Sequence, residues 1–286
     1  MSTEPRSSLI DVAAARTAIA AGAVAIDCRH DLADPAAGER AWSSGHLPGA
    51  RHAHLDRDLS DLSRRGEGRH PLPAADAFAA TLARWGIGES TQVIAYDAGN
   101  AAFAARLWWM LRAVGHRHVA VLDGGYAAWT AAGLPLATDV PGVAPAPVRA
   151  LRFDPALSVD HAGAWDAARN PAARLVDARA AARYRGDEEP IDPVAGHVPG
   201  AINRPFADNL GSDGRFKPPA QLRDEFLRLL DGRPPSSLVA MCGSGVTACH
   251  HLLALAQAGL SGARLYAPSW SGWISDPARP VVRGDA

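Results

Sequence analysis

The sequence predicts an α/β fold built twice in tandem, each copy a mainly parallel sheet flanked by helices. Three observations carry that expectation. The 286-residue chain is 48% hydrophobic and 21% charged, an ordinary globular composition. Short apolar runs alternate with stretches of helical period. Four blocks of the first half also recur, in the same order, in the second.

In chain order, helices are expected near 11–21, 74–85 and 101–114, between strands near 24–27, 92–96 and 119–122. The second half repeats the scheme, with helices near 160–169, 219–230 and 247–258. Its strands are expected near 174–177, 237–241 and 263–266. The repeated blocks lie on this frame. VAIDCRH (24–30) is echoed by RLVDARA (174–180), and GHLPGA (45–50) by GHVPGA (196–201). QVIAYDAGNAAFAARLWWML (92–111) answers LVAMCGSGVTACHHLLAL (238–255), which puts Asp97 opposite Cys242. VLDGGYAAW (121–129) answers LYAPSWSGW (265–273), which puts Trp129 opposite Trp273. The stretch 134–155 is rich in proline and valine without a helical period, as an extended linker would be. The expected division is a first domain over 1–140, a linker over 141–156 and a second domain over 157–286.

Composition narrows the function. A formal net charge of −1 argues against nucleic acid as partner, since phosphate binding needs a basic face. No segment has the roughly 18 apolar residues of a membrane span. The first 28 residues lack the basic start and apolar core of a signal peptide. Three cysteines, Cys28, Cys242 and Cys249, suit neither a disulfide framework nor a zinc site. The expected location is a reducing cytoplasm, where a free thiol survives.

Cys242 stands apart from the other two. It falls at a strand end, before a helix, in the loop CGSGVT (242–247). Ligands of open α/β sheets bind at that end of the strands. Gly243 and Gly245 permit backbone angles that turn N–H groups inward, making an anion-binding nest at a helix start. Such a nest favours the thiolate, which is the nucleophile, and would equally hold a persulfide anion. A phosphatase-like loop would need an arginine to grip a phosphoryl group, and residues 247–251 contain none. Cys28 and Cys249 fit buried structural thiols. His46 and His197 belong to the repeated GH blocks as turn residues. His250 and His251 are adjacent on a helix and so point to different faces, and no metal site is expected.

The duplication, the two GH blocks and the CGSGVT loop resemble the tandem-domain rhodanese family, most closely its 3-mercaptopyruvate sulfurtransferases. The resemblance runs from about Val24 to Trp273. It implies that the second domain carries the catalytic cysteine, Cys242, while the first has lost its own. Asp97 at the equivalent position fits. Thiosulfate-using relatives carry basic residues after the cysteine, where this chain has Gly243 and Ser244. A small dianion thereby loses charge partners, whereas a donor with one carboxylate suffers less. By resemblance, Arg183 matches a carboxylate-binding arginine and Arg179 a second arginine near the loop. Arg179 has the alternative of a structural ion pair. The segment DEEPIDPVAGH (187–197) lacks an arginine that some of these enzymes carry there.

The resemblance also implies a serine–histidine–aspartate relay, matched here by Ser244, His70 and Asp56. The loop N–H groups of Gly243, Gly245, Val246 and Thr247 would hold the sulfur's negative charge. The implied activity is transfer of sulfur from 3-mercaptopyruvate, through a Cys242 persulfide, to cyanide or a thiol such as thioredoxin, with pyruvate released and no cofactor. Two other readings stay open at this point. One is a thiosulfate:cyanide sulfurtransferase. The other is a non-catalytic persulfide carrier or redox-sensing module. The active site is expected in the cleft between the domains.

Overall fold

Asp11 and Asp160 start corresponding helices in the two halves. Each aspartate accepts the N–H of the residue three positions on, Ala14 and Gly163 respectively, at 2.8 Å. This side-chain cap satisfies a donor that the first helical turn leaves unpaired. The computed structural model describes residues 8–285. Part of the N-terminal stretch considered above for a signal peptide, residues 1–7, lies outside them.

The chain divides into two units. The first runs to Asp61 and resumes over Pro73–Asp154, and the second comprises Leu62–Leu72 and the residues from Pro155 onward. The segment 62–72, expected within the first domain, thus groups with the second. Residues 141–154, expected as linker, group with the first.

The first unit contains strands β1 (Leu9–Ile10), β2 (Val24–Asp27), β3 (Arg51–His52), β4 (Val93–Tyr96) and β5 (Val119–Leu122). They pair in parallel in the order β1-β5-β4-β2-β3. Its helices are α1 (Val12–Ala20), α2 (Ala37–Ser44), α3 (Leu55–Asp58), α4 (Ala75–Arg84), α5 (Ala104–Ala113) and α6 (Gly125–Ala131). The second unit repeats this order with β6 (Ser158–Val159), β7 (Arg174–Asp177), β8 (Ile202–Asn203), β9 (Leu238–Met241) and β10 (Arg264–Tyr266). The sheet runs β6-β10-β9-β7-β8, again parallel throughout. Its helices are α7 (His161–Arg169), α8 (Ala181–Arg185), α9 (Pro219–Leu230), α10 (Ala248–Gln257) and α11 (Ser269–Trp273).

The central strands β2, β4, β5 and β9 are buried along their whole length, as expected of parallel strands covered on both faces. The two-residue strands β1, β3, β6 and β8 are absent from the sequence expectation, because two residues carry no measurable period. Helix α2 is a further element the pattern did not reveal.

The repeated motifs keep equivalent contacts. Trp129 Nε1 donates to Pro135 O and Trp273 Nε1 to Pro280 O, each at 2.9 Å. His46 and His197 form isolated antiparallel bridges with Ala137 and Val282, which makes the GH blocks docking points for later chain. His250 and His251 depart from expectation. Asn209 Nδ2 reaches both Nδ1 atoms, at 3.1 and 2.9 Å, so the two rings converge on one buried amide.

Candidate active site

Strands β7 and β9 are neighbours, with Asp177 opposite Met241. From β7 the chain continues outward to β8, while β9 leads to β10 on the other side, so the strand order reverses between them. That is the position at which open α/β sheets bind ligands. Cys242 follows β9 there, only 2% exposed.

Loop 242–247 is held from both sides. Cys242 N–H donates to Ser269 Oγ at 3.0 Å, and Trp270 N–H donates to Cys242 O at 2.9 Å. Ser271 N–H donates to Gly243 O at 2.8 Å. Gly245 has φ +77°, and a Cβ there would lie 2.2 Å from Ala267 O, so glycine is required twice over. In this turn Gly245 N–H points back at Cys242 Sγ, 3.1 Å away. Cys249 Sγ is spent on Gly245 O at 3.4 Å. Val246 is buried, and Thr247 stands at the N-cap of α10 without a side-chain cap bond.

Segment 62–72 lies against this loop. Gly68, at φ +91°, passes so close to Pro268 O that a Cβ would sit 2.5 Å from it. Arg69 N–H donates to Ser271 Oγ at 3.0 Å, and Ser275 Oγ donates to Gly66 O at 3.1 Å. These ties place His70 over the loop, where His70 Nδ1 and Ser244 Oγ are hydrogen-bonded at 2.7 Å. Both residues are buried. Two of the three relay candidates therefore meet. Asp56 lies in the first unit, in the first turn of α3, where its N–H donates to His54 Nδ1 at 3.2 Å.

The first unit shows what such a loop does with a fixed anion. Asp97 follows β4 as Cys242 follows β9, and its carboxylate accepts four backbone N–H groups. Gly99 and Ala101 donate to Oδ1 at 3.1 and 3.0 Å, and Phe103 and Ala104 to Oδ2 at 2.9 and 3.2 Å. Burial raises the Asp97 pKa from the ordinary carboxylate value against the pull of those donors. The nest is thus filled by the protein's own side chain.

The Rhodanese-like domain signature matches residues 11–132 and 161–276. The chain belongs to the rhodanese-like family. A Pseudomonas aeruginosa protein provisionally named 3-mercaptopyruvate sulfurtransferase is 52% identical over 262 residues, covering 91% of this chain and 92% of its own. A Mycobacterium tuberculosis protein, provisionally named thiosulfate sulfurtransferase SseB, is 41% identical over 271 residues, with 91% of each chain covered. The crystal structure of the 3-mercaptopyruvate enzyme SseA from Escherichia coli superposes with a TM-score of 0.76 at 30% identity, covering 93% of this chain and 99% of that one. Sulfurtransferase is the enzyme class of these rhodanese-like relatives, and of this chain.

Within this rhodanese-like site the arginines divide. Arg183 comes within 3.6 Å of where a Gly243 Cβ would stand, beside the Cys242 loop. Arg179 instead is 1% exposed and bound on every side. Its guanidinium grips Asp177 through three contacts of 2.7 to 3.1 Å, donates to Gly196 O at 2.8 Å and stacks on Trp270 at 4.7 Å. Arg29 repeats this in the first unit, where Asp97 stands at the position of Cys242, with Asp27, Gly45 O and the Tyr126 ring. A contact set kept in the unit without Cys242 marks Arg179 as a brace between β7 and the GH block. The structural alternative raised above is the one its geometry supports.

Sequence reasoning overlooked Arg69, Glu189 and Asp192. Arg183 pairs with Glu189 at 2.6 Å and Asp192 at 3.0 Å, and Arg69 pairs with Asp192. Arg69 adjoins His70, and the acidic run of 187–192 was visible. Only folding shows that they meet. No helix among the described residues is long and apolar enough to cross a membrane, and none of their side chains form a group able to hold a metal ion.

Proposed function

We propose that the chain takes sulfur from 3-mercaptopyruvate and passes it to a thiol or cyanide through a persulfide on Cys242, releasing pyruvate. The observation that carries this reading is the Cys242 loop itself: Sγ faces the Gly245 N–H, and Ser244, two residues on, is joined to His70. In the first step the Cys242 thiolate attacks the donor sulfur. The carbon–sulfur bond breaks, its electron pair passes to the pyruvate enolate, and a proton returns to carbon. Ser244 Oγ–H stands to polarise the donor carbonyl and His70 to move the proton, with Asp56 proposed as the third member from its matching position. The N–H groups of Gly243, Gly245, Val246 and Thr247 hold the persulfide charge, as those of the first unit hold Asp97. An acceptor thiol, thioredoxin being the protein candidate, or cyanide then attacks the outer sulfur and frees the Cys242 thiolate. None of these steps calls on a metal or an organic cofactor.

The loop's lack of basic residues, together with the 52% relative, supports a monocarboxylate donor. Thiosulfate is the second reading, favoured by the mycobacterial relative's name. A cytoplasmic location is proposed on three free cysteines, which a reducing compartment preserves.

The test is intact mass of the reduced protein after 3-mercaptopyruvate without acceptor, beside Cys242→Ser. One added sulfur, absent from the variant and removed by cyanide or thioredoxin, is expected. Loading by thiosulfate alone would move the donor assignment, and loading by neither would overturn the proposal.

A further inference from the structure

Arg69 and Arg183 come from distant parts of the sequence, yet they present the same arrangement to the loop. One terminal nitrogen of each, Arg69 Nη1 and Arg183 Nη2, is tied to a separate oxygen of Asp192. The other terminal nitrogens, Arg69 Nη2 and Arg183 Nη1, lie 3.0 and 3.6 Å from where a Cβ on Gly243 would stand. A side chain at 243 would fill that space, and glycine leaves it open beside the nucleophile. Asp192 is held in turn: its side chain is 3% exposed and its N–H donates to Glu189 Oε1 at 3.0 Å. Glu189 also takes Nε and Nη2 of Arg183, at 3.1 and 2.6 Å.

Building on the sulfurtransferase reading above, we infer that Arg69 is a second arm of the donor-binding site and that Asp192 is a positioning residue that sets its selectivity for a singly charged donor. The geometry supplies the first part. Two guanidinium nitrogens converging on one space suit an anionic group, because each offers charge and directed donors. Charge supplies the second. Arg69, Arg179 and Arg183 face Asp177, Glu189 and Asp192, so the cluster is formally neutral. A carboxylate bound there leaves one negative charge over, and a dianion leaves two. Burial raises the Asp192 pKa, with Glu189 adding and the arginines opposing. This acid stands where further negative charge is least welcome. Asp192 thereby spaces the two guanidiniums and penalises the second charge of a donor such as thiosulfate.

The experiment measures two ratios in the full chain. The first is kcat/KM for thiosulfate over that for 3-mercaptopyruvate, with cyanide as acceptor. The second, independent of turnover, is the affinity for thiosulfate over that for pyruvate in a Cys242→Ser background, by calorimetry. Asp192→Asn removes one charge and is expected to raise both ratios on the order of tenfold, as one charge at close range in a partly buried site would. Asp192→Glu is expected to return them toward the parent value, and thermal unfolding checks that each variant is folded. Arg69→Gln is expected to raise the KM for 3-mercaptopyruvate about tenfold with a smaller change in kcat, the pattern of lost donor binding. Ratios within twofold of the parent in a folded Asp192→Asn protein would overturn the role of Asp192. An unchanged KM in Arg69→Gln would overturn that of Arg69. If the parent loads no sulfur while the calorimetric ratio shifts, the function reading fails and the selectivity inference stands.

Discussion

Ser244 and His70 are the residues whose contact most directly bears on mechanism. Both are buried, and a buried hydroxyl hydrogen-bonded to an imidazole at 2.7 Å can share a proton, as the proposed pyruvate-forming step requires. Ser244→Ala is expected to lower kcat for 3-mercaptopyruvate by about 10²-fold, the low end of general acid–base effects, with little change in melting temperature. Steady-state kinetics beside a thermal melt checks it, and unchanged kcat would remove Ser244 from the reaction. The residues differ in how visible they were. Cys242 declared itself through its glycines and its place at a strand end. Arg179 and Arg183 are two arginines of one short stretch, and nothing local told the brace from the group that reaches the Cys242 loop. Their difference lies in what surrounds them, Asp177, Gly196 O and Trp270 against the open face of Gly243.

At the scale of the element, the loop between β9 and α10 works because one glycine reverses it. Gly245 combines a left-handed backbone with a carbonyl 2.2 Å from any Cβ. Gly245→Ala therefore meets roughly 1 kcal/mol of backbone strain and a clash that only movement of the loop relieves. Sulfur loading of Cys242 is expected to fall below detection in that variant while the helical circular dichroism persists. Normal loading would mean the nest is not needed. The first unit turns its corresponding loop at Ala101, a non-glycine residue with φ +59°, and ties it with the Asp97 carboxylate. With aspartate where the second unit has Cys242, this loop keeps its N–H donors occupied.

At the scale of the whole molecule, duplication set the two sheets, and two groups of the second unit, His251 and Glu225, link its stability to acid pH. Burial pushes His251 down to about 3, with Arg204 adding to the effect, so it stays neutral between Asn209 and Arg204 O. Its folded pKa lies below the ordinary 6.5, so its contribution is complete above pH 6.5 and is lost as pH falls toward 3. Glu225 adds a second loss at lower pH. Burial opposes its ionisation, but hydrogen bonds from Arg204, Gln221 and Lys217 hold it down to about 2, and that contribution fades below 4.5. Melting temperature is expected to decline from pH 6.5 downward, and His251→Gln to flatten the decline between about pH 6 and 4. An equally steep decline in the variant would place the acid sensitivity elsewhere.

The sequence alone determined that the chain is a tandem α/β protein, where its main strands and helices lie, and which cysteine, Cys242, is the one to propose as the reactive thiol. Those features are local or periodic: an apolar run, a helical repeat, glycines beside a cysteine, a block that occurs twice. The tertiary structure decided which polar side chains share the site. It set His70 on Ser244, carried Arg69 to Asp192 with the segment 62–72, and turned Arg179 away into a brace. Charged partners such as Arg69 and Asp192 leave no period and lie 123 positions apart, so their pairing exists only once the chain has closed on itself.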